Sequence, residues 1–542
     1  MLIKNSLNLV NQFSSIINSK LRKIYLNSNF YNNKISKIQE RTLVYKPNPY
    51  IMDCLVKYNK RKKNINEINF DEIWKNNSLP YSDYKKLHNF FWLFTLDLKS
   101  SNINTQNVIE NWIDNNNQFN SKSWETDILS KRIISWICNS KLSYEDSSID
   151  YKKKFNFIIN KQVNHLINEI NISDLINDKM KGCTAIILAG LSYRDKNYLD
   201  FGLNLLNKII NNSFDENGFP KSRNFRQLVF YLKYFVLIRE FLKDSQNDIP
   251  DYINESIFYL GQSYKLLWQD TKQSYLFNGS NINENFDFDK YLSQRGYKFL
   301  NNKHEAGGYA ILKNKKNSLI MDIGKPPGKE FSYNYQSGPL SFEFTHMNSK
   351  IVSNSGYFQN LKHQLNILSR STAAHSTLTI NNFSVSQFEK DKYGKKLINK
   401  PFKILNKNII VDKETWSIEA SHDGYLKQYG FIHHRKLKFS TKKFKIEGSD
   451  ILTRKKNKNN INFDIRFHLD PKAKITKTLD KNTVLFEIGN AGWKFVCKNY
   501  LIDIETGLFF GKKGLYTENK NICISGKSVK DMENVVWEIS KI

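Results

Sequence analysis

Between about residues 45 and 285 the apolar positions recur at helical spacing. Ile128, Ile133, Ile134 and Trp136 make one stripe; Phe157, Ile158, Val163, Leu166 and Ile167 make another; Leu203, Leu205, Leu206, Ile209 and Ile210 make a third. That spacing gives each of several successive helices one apolar face. The breaks at 211–218 and 244–250 are short and polar, and alternation of period two is almost absent. The segment therefore reads as an all-α domain of packed helix pairs. After about residue 295 the period falls to two. Leu437 to Phe439, Phe444 to Ile446, Phe463 to Leu469, Val484 to Ile488, Trp493 to Val496, Leu501 to Ile504 and Val535 to Ile539 alternate as short strands. Asp423-Gly424, Glu447-Gly448-Ser449 and Thr506-Gly507 read as the turns between them. Helices followed by strands, rather than mixed with them, predict an α+β multidomain chain whose second domain is an antiparallel β-sandwich. The expected boundaries are a helical arm over 1–44, an all-α domain over 45–290 and a sandwich over 291–542.

A chain of 542 residues with 37 Phe, 28 Tyr and 9 Trp can fill sizeable cores, which excludes a disordered tail protein. Lys and Arg number 82 against 52 Asp and Glu, a net charge of +30. This basicity follows a chain-wide bias toward Lys, Asn and Ile rather than a local stripe. The runs Lys60 to Lys63, Lys152 to Lys154 and Lys455 to Lys458 read as solvated faces, and no nucleic-acid-binding motif or phosphate loop accompanies them. The charge does favour a polyanionic partner, and an acidic polysaccharide qualifies. Cys54, Cys138, Cys183, Cys497 and Cys523 are odd in number, scattered and without zinc-ligand spacing, so neither a disulfide framework nor a Cys-based metal site is expected. No window approaches the ~20 apolar residues of a membrane span. The opening residues read as an amphipathic arm rather than an export signal.

The segment Arg370-Ser-Thr-Ala-Ala-His375-Ser-Thr-Leu-Thr-Ile-Asn-Asn382, with Gly338-Pro-Leu-Ser-Phe-Glu343 and Ile351-Val-Ser-Asn-Ser-Gly356 before it, closely resembles the hallmark of the heparinase II/III family of polysaccharide lyases. Trp124-Glu125, Arg132 to Trp136, Ala189-Gly190-Leu191, Asn217-Gly218, Ser222-Arg223-Asn224, Arg466-Phe-His468-Leu and Gly492-Trp493-Lys-Phe495 follow the family's order from about residue 80 to 540. The resemblance implies an N-terminal (α/α) toroid followed by a C-terminal antiparallel β-sandwich. It also implies β-elimination on uronate-containing glycans. That reaction needs a group that neutralises the carboxylate, a base for the C5 proton and an acid for the leaving oxygen. The family is typically exported, which implies periplasm or cell envelope, with cytoplasm as the alternative.

Carried over from the family, the Asn of its Asn-His pair falls on Asn177, followed here by Asp178. Its His-x-His falls on Asn334 and Gln336, its metal-binding Asp on Asn354 and its last metal ligand on His375. One good ligand among Gln336, Asn354 and His375 is too few for zinc, so no metal cofactor is expected. Tyr333 and Tyr335 flank the altered strand, and a Tyr can act as both base and acid; sugar stacking or packing is the other reading. Tyr234, with Tyr231 beside it, lies where the family's catalytic Tyr is expected, or else packs a helix face. Arg223 and Asn224 open a helix and suit an anion; a cap with a surface ion pair is the alternative. Trp124, Glu125 and Arg132 suit a sugar-binding wall, although helix-packing anchors would look the same, and His468 suits a cleft contact or an ordinary strand position. The leading expectation is a lyase that grips an acidic glycan between toroid and sandwich, with Asn177, Tyr234, Tyr333, Tyr335 and His375 as catalytic candidates. The alternative is a catalytically lapsed glycan-binding or envelope protein. A glycoside hydrolase would need two carboxylates across the bond; Asp178, Glu125 and Glu343 are present, but nothing in the sequence sets any two at the required separation.

Overall fold

The computed structural model describes residues 18, 20–56, 74, 79–96, 102–173, 175–268, 274–281, 286–301, 303–391, 394–456, 460–512 and 514–542. Residues 1–17 and 19 of the expected N-terminal arm, the basic run Lys60 to Lys63 and Lys458 lie outside the described residues. Two compact units emerge. One comprises residues 1–213, 231–257 and 286–297; the other comprises 214–230, 258–285 and 298–542.

The first unit is helical. The three apolar stripes fall in the helices Thr126–Cys138, Ile149–Glu169 and Lys196–Ser213, joined in this unit by Asn102–Asn116 and Ile176–Ser192. Ser148 caps Ile149–Glu169 by accepting the Tyr151 N–H at 3.2 Å, and Asp150 adds a negative charge at the dipole's positive end. The apolar faces meet in an aromatic core: Trp136 lies edge-on to Trp112 at 5.5 Å and to Phe90 at 5.1 Å. Arg132 is buried inside it, over the Trp112 ring at 4.0 Å, and donates to the carbonyls of His88 and Ser123 at 3.0 and 2.9 Å. Among the described residues it makes no ion pair, and burial pulls its pKa down to about 9.

The second unit carries the sheets. β1 to β5 (Glu305–Ala306, Tyr309–Lys313, Asn317–Asp322, Phe342–His346, Ser349–Val352) form an antiparallel meander in chain order. An eight-stranded sheet runs β14 (Lys474–Lys477), β15 (Thr483–Ile488), β16 (Ala491–Val496), β19 (Met532–Lys541), β12 (Lys445–Arg454), β11 (Phe431–Ser440), β10 (Thr415–His422), β9 (Ile404–Val411). A four-stranded sheet runs β17 (Ile502–Phe509), β18 (Thr517–Ser528), β13 (Ile461–His468), β6 (Leu378–Ile380). Inward residues of these sheets share one core, in which Trp537 meets Phe467 at 4.7 Å and stacks on Phe342 at 5.6 Å.

Two of the expected turns are strand interior. Gly448 lies within β12, and Gly507 lies within β17. At Gly448 the reason is space: a Cβ there would sit 2.0 Å from the Trp537 ring, so the position must be bare for the indole to cross the strand. The indole's Nε1–H then reaches Asp450 Oδ2 at 2.9 Å. Asp450 also receives Nε and Nη2 of Arg435 at 2.7 and 3.0 Å and stands 2.7 Å from His433 Nε2. Burial alone would push the Asp450 pKa up, but Arg435 and His433 overcome it and hold the carboxyl well below the usual range.

His88 and His165 in the helical unit and His422 and His433 in the sheet unit are all buried, and burial lowers each pKa, to about 3 for the first two. A histidine held neutral in the fold takes up its proton once unfolded, so between about pH 4 and 6.5 the unfolded chain binds more protons and stability rises with pH. Asp450 acts in the same direction lower down, since its stabilising charge is lost as pH falls. Urea unfolding is therefore expected to show a marked loss of stability from pH 7 to pH 5, up to about 1.4 kcal/mol per pH unit for each such histidine. A midpoint unchanged across that window would contradict the buried, neutral assignment.

Candidate functional site

The candidate residues of the sheet unit gather around one tight backbone passage. Gly279 has φ +83, and a Cβ on it would lie 2.6 Å from Asn224 Nδ2 and 2.8 Å from Asn334 Cβ. Only glycine lets those two amides flank the chain there. Asn224 Oδ1 accepts the N–H groups of Arg226 and Gln227 at 2.8 and 3.2 Å, which caps the helix Phe225–Asp244. Asn334 Oδ1 accepts the Tyr357 hydroxyl at 2.9 Å. Arg226, partly buried, reaches the Gly279 carbonyl with Nη1 at 3.4 Å. Tyr333 is half-buried beside Tyr357 and Arg370; burial raises its pKa, Tyr357 adds to this, and the Arg370 charge opposes it.

Arg370, first residue of the hallmark segment, fixes this loop. Its Nε donates to the Tyr335 carbonyl at 2.7 Å, Nη2 to Ser332 at 2.9 Å and Nη1 to Lys396 at 2.9 Å, while its guanidinium lies 3.8 Å over the Phe388 ring. The turn Lys329–Asn334 is thus held by side-chain donors spread over one rigid fork. Sequence reasoning passed over Arg370, Arg226 and Tyr357. The first was legible as the head of the motif, and the second follows directly on Arg223-Asn224-Phe225.

Several expected site residues serve the fold instead. Arg223 is buried and spends its donors on Gly307 O at 2.8 Å, Gly308 O at 3.1 Å and Asp322 Oδ1 at 2.6 Å. Burial opposes its charge, but Asp322 prevails and keeps it ionised, so the guanidinium is committed to β3 rather than open to an anion. Tyr335 is 1% exposed, and burial drives its pKa far up. His375 is also 1% exposed; its Nδ1 meets the Ser371 carbonyl at 2.8 Å, its Nε2 has no partner among the described residues, and burial lowers its pKa to about 4. His468 lies nearby, with Nδ1 3.2 Å from Ser355 Oγ and Nε2 3.0 Å from the Ala373 carbonyl. Burial takes it to about 3. Both imidazoles are neutral packing groups that brace the Ser371–Ser376 segment.

The positions where the resemblance puts a metal do not fit one. Gln336 Oε1 accepts the Gly279 N–H at 2.9 Å, and its Nε2 donates to Gly356 O at 2.9 Å and Ser369 O at 2.7 Å. Asn354 gives its backbone N–H to Glu343 Oε1 at 3.0 Å and takes the Ser376 N–H on Oδ1 at 2.9 Å. Glu343 is balanced by Lys350 at 2.7 Å. These amides exchange hydrogen bonds with backbone where carboxylate or imidazole would have turned lone pairs to a cation. Among the described residues no group of three or more His, Cys, Asp or Glu could hold a metal ion.

In the helical unit Asn177 is exposed in the first turn of Ile176–Ser192. Its neighbour Asp178 shares Lys181 with Asp127, at 3.1 Å on the Asp178 side. Burial would raise Asp127, but Lys181 and Lys131 win and lower it; Asp178 stays raised by its burial. Glu125 binds Lys85 at 2.7 Å and accepts the Tyr81 hydroxyl. Tyr234 and Trp124 belong to the core rather than to a binding wall: Tyr234 is 4% exposed with its pKa driven up by burial, and the Trp124 indole donates to Asn116 O at 3.2 Å.

A helical toroid with a following antiparallel β-sandwich is the architecture that the two units share with known glycan lyases. Residues 301–538 match the family described as heparinase II/III-like, C-terminal. Among solved structures, a protein described as heparinase III aligns over 93% of this chain and 87% of its own, with TM-score 0.71 and 15% identity. The heparan sulfate lyase HepC from Pedobacter heparinus aligns over 94% and 87%, with TM-score 0.66 and 14% identity. A further heparinase III aligns over 94% and 88%, with TM-score 0.65 and 15% identity. No curated protein matches the sequence. The family match covers the C-terminal part of the chain, and the likeness to the solved structures is one of fold. No helix among the described residues is long and apolar enough to cross a membrane.

Replacing Arg370 by Lys leaves one ammonium where a fork bonded three carbonyls. Hydrogen exchange of the Tyr335 and Ser337 amides, bonded to Ser332 O at 3.0 Å and Arg370 O at 2.9 Å, is expected to speed up at least ~10-fold in R370K, about 1.4 kcal/mol of local opening. Unchanged protection would show that the loop does not need the fork.

Proposed function

We propose that this protein is a polysaccharide lyase that binds a uronate-containing acidic glycan and cleaves it by β-elimination, with Tyr333 as the proton-transfer group. The observation that carries this is a half-buried phenol near Tyr357, on a loop whose backbone Arg370 clamps and whose Asn334 accepts the Tyr357 hydroxyl, inside a heparinase II/III-like domain. The Tyr333 phenolate takes the C5 proton, the electron pair forms the C4=C5 double bond, and the C4–O4 bond breaks. The leaving oxygen takes its proton from the same phenol. Arg226 supplies positive charge toward the uronate carboxylate, and the Asn334 and Asn224 amides orient the ring. The net charge of +30 draws a polyanion in. An envelope or periplasmic place of action accords with such a substrate.

A second reading, a glycan-binding protein that no longer cleaves, is favoured by one specific observation. His375 and His468 are buried and neutral, and the two phenols near the Asn334 amide among the described residues, Tyr333 and Tyr357, both have their pKa raised by burial rather than lowered.

Ultraviolet absorbance of the unsaturated product distinguishes the two across a panel of uronic-acid polymers. If the lyase reading holds, Tyr333→Phe abolishes product formation, at least ~100-fold, with binding retained. Because a phenol above its usual 10.0 must lose its proton to act as base, the rate should climb with pH through the alkaline range instead of levelling off near neutrality. Binding without product across the whole panel would establish the second reading, and neither binding nor product would refute both.

A further inference from the structure

A cavity of about 270 Å³ opens elsewhere on the sheet unit, lined by none of the residues to which the proposed reaction assigns a role. At ~30 Å³ per water it holds roughly nine waters' volume, room for about one sugar ring with its substituents. One wall is Tyr259, 41% exposed, with Gln262 one turn further along the helix Asp251–Leu267. The opposite wall is the turn carrying Asn217. That turn is fixed by Asp215, whose Oδ1 takes the N–H groups of Asn217 and Phe219 at 2.9 Å each. Gly218 then passes so near that a Cβ would stand 2.5 Å from Tyr259 Cβ, so ring and turn form one rigid corner. The floor brings Lys303, Glu305 and, from β9, Lys407. Lys407 is tied to both oxygens of Glu305 at 2.6 and 2.9 Å, so the ammonium of Lys303 supplies charge that nothing in the cavity balances. The side chains of Asn217, Gln262 and Lys303 make no hydrogen bond among the described residues.

An aromatic face, two uncommitted amides and one excess positive charge in a space of one ring are the complement of a polyhydroxylated, singly anionic ligand. We propose that this cavity is a second saccharide subsite, which takes one carboxylated or sulfated sugar unit of an acidic glycan. The proposal rests on the reading of the substrate as such a polymer. The ring stacks on Tyr259, hydroxyls bond Asn217 and Gln262, and the anionic group meets Lys303. A subsite apart from the reacting residues would hold a long chain on the protein while another of its units is processed.

Titration calorimetry of the full chain with a glucuronate-containing tetrasaccharide tests it, alongside a carboxyl-reduced form and a sulfated, uronate-free one to tell the two anions apart. Tyr259→Ala and Lys303→Glu are each expected to weaken binding at least ~10-fold, whereas Lys153→Glu, an exposed position on the helix Ile149–Glu169, leaves it unchanged. Wild-type affinity in both cavity variants would overturn the subsite while leaving the glycan reading intact, and so would equal binding of a neutral oligosaccharide. Tyr259-dependent binding without any unsaturated product would instead sink the lyase reading and keep the subsite.

Discussion

A carboxylate sealed from water, that of Asp450, receives the Arg435 guanidinium by two hydrogen bonds, the Trp537 indole by a third and the His433 ring by a fourth contact. A buried charge of this kind is tolerated only when every lone pair is answered, and losing one partner costs on the order of 3–5 kcal/mol. Arg435 does not stop at the carboxylate. Its Nη1 also holds the carbonyls of Leu340 and Ser376 at 2.9 and 2.7 Å. The eight-stranded sheet is thereby fastened both to the approach of β4 and to the Ala374-His375-Ser376 turn.

The hallmark segment therefore works mainly as a brace. Arg370 clamps one loop, His375 fills a dry pocket behind Gly338, and Ser376 bonds Asn354 and the Ser353 carbonyl. Sequence alone shows that an imidazole is present; it does not show whether water reaches it. That is why His375, Tyr335 and Arg223 could be read as site residues, and why only burial and hydrogen bonding separate them from Tyr333 and Asn334. The exchange of metal-binding side chains for amides was, by contrast, visible in the residue types at Gln336 and Asn354, since donor chemistry is a property of the side chain itself.

The fold was legible wherever one face of an element meets water. β11 and β12 alternate buried and less buried positions; the period-two stretch 437–439 lies inside β11, and 444–446 overlaps the start of β12. β3, Asn317–Asp322, is buried at all six positions and shows no alternation, so the first meander could not be read from period. Gly448 misled for a related reason: a glycine that clears space for an indole distant in sequence looks the same as one that turns the chain. The assignment of 214–230 and 258–285 to the sheet unit follows from bonds such as Arg223 to Asp322, 99 residues apart, which no local pattern encodes.

All five thiols lie inside the molecule as unpaired cysteines, three in the helical unit and two in the sheet unit. Burial raises each of their pKa values, so little thiolate is offered to an oxidant or an alkylating agent while the chain stays folded. The architecture is consequently indifferent to the redox poise of its surroundings. It needs no oxidising compartment to assemble and loses nothing in a reducing one, and a maleimide added to the folded molecule becomes a clock for whichever half opens first.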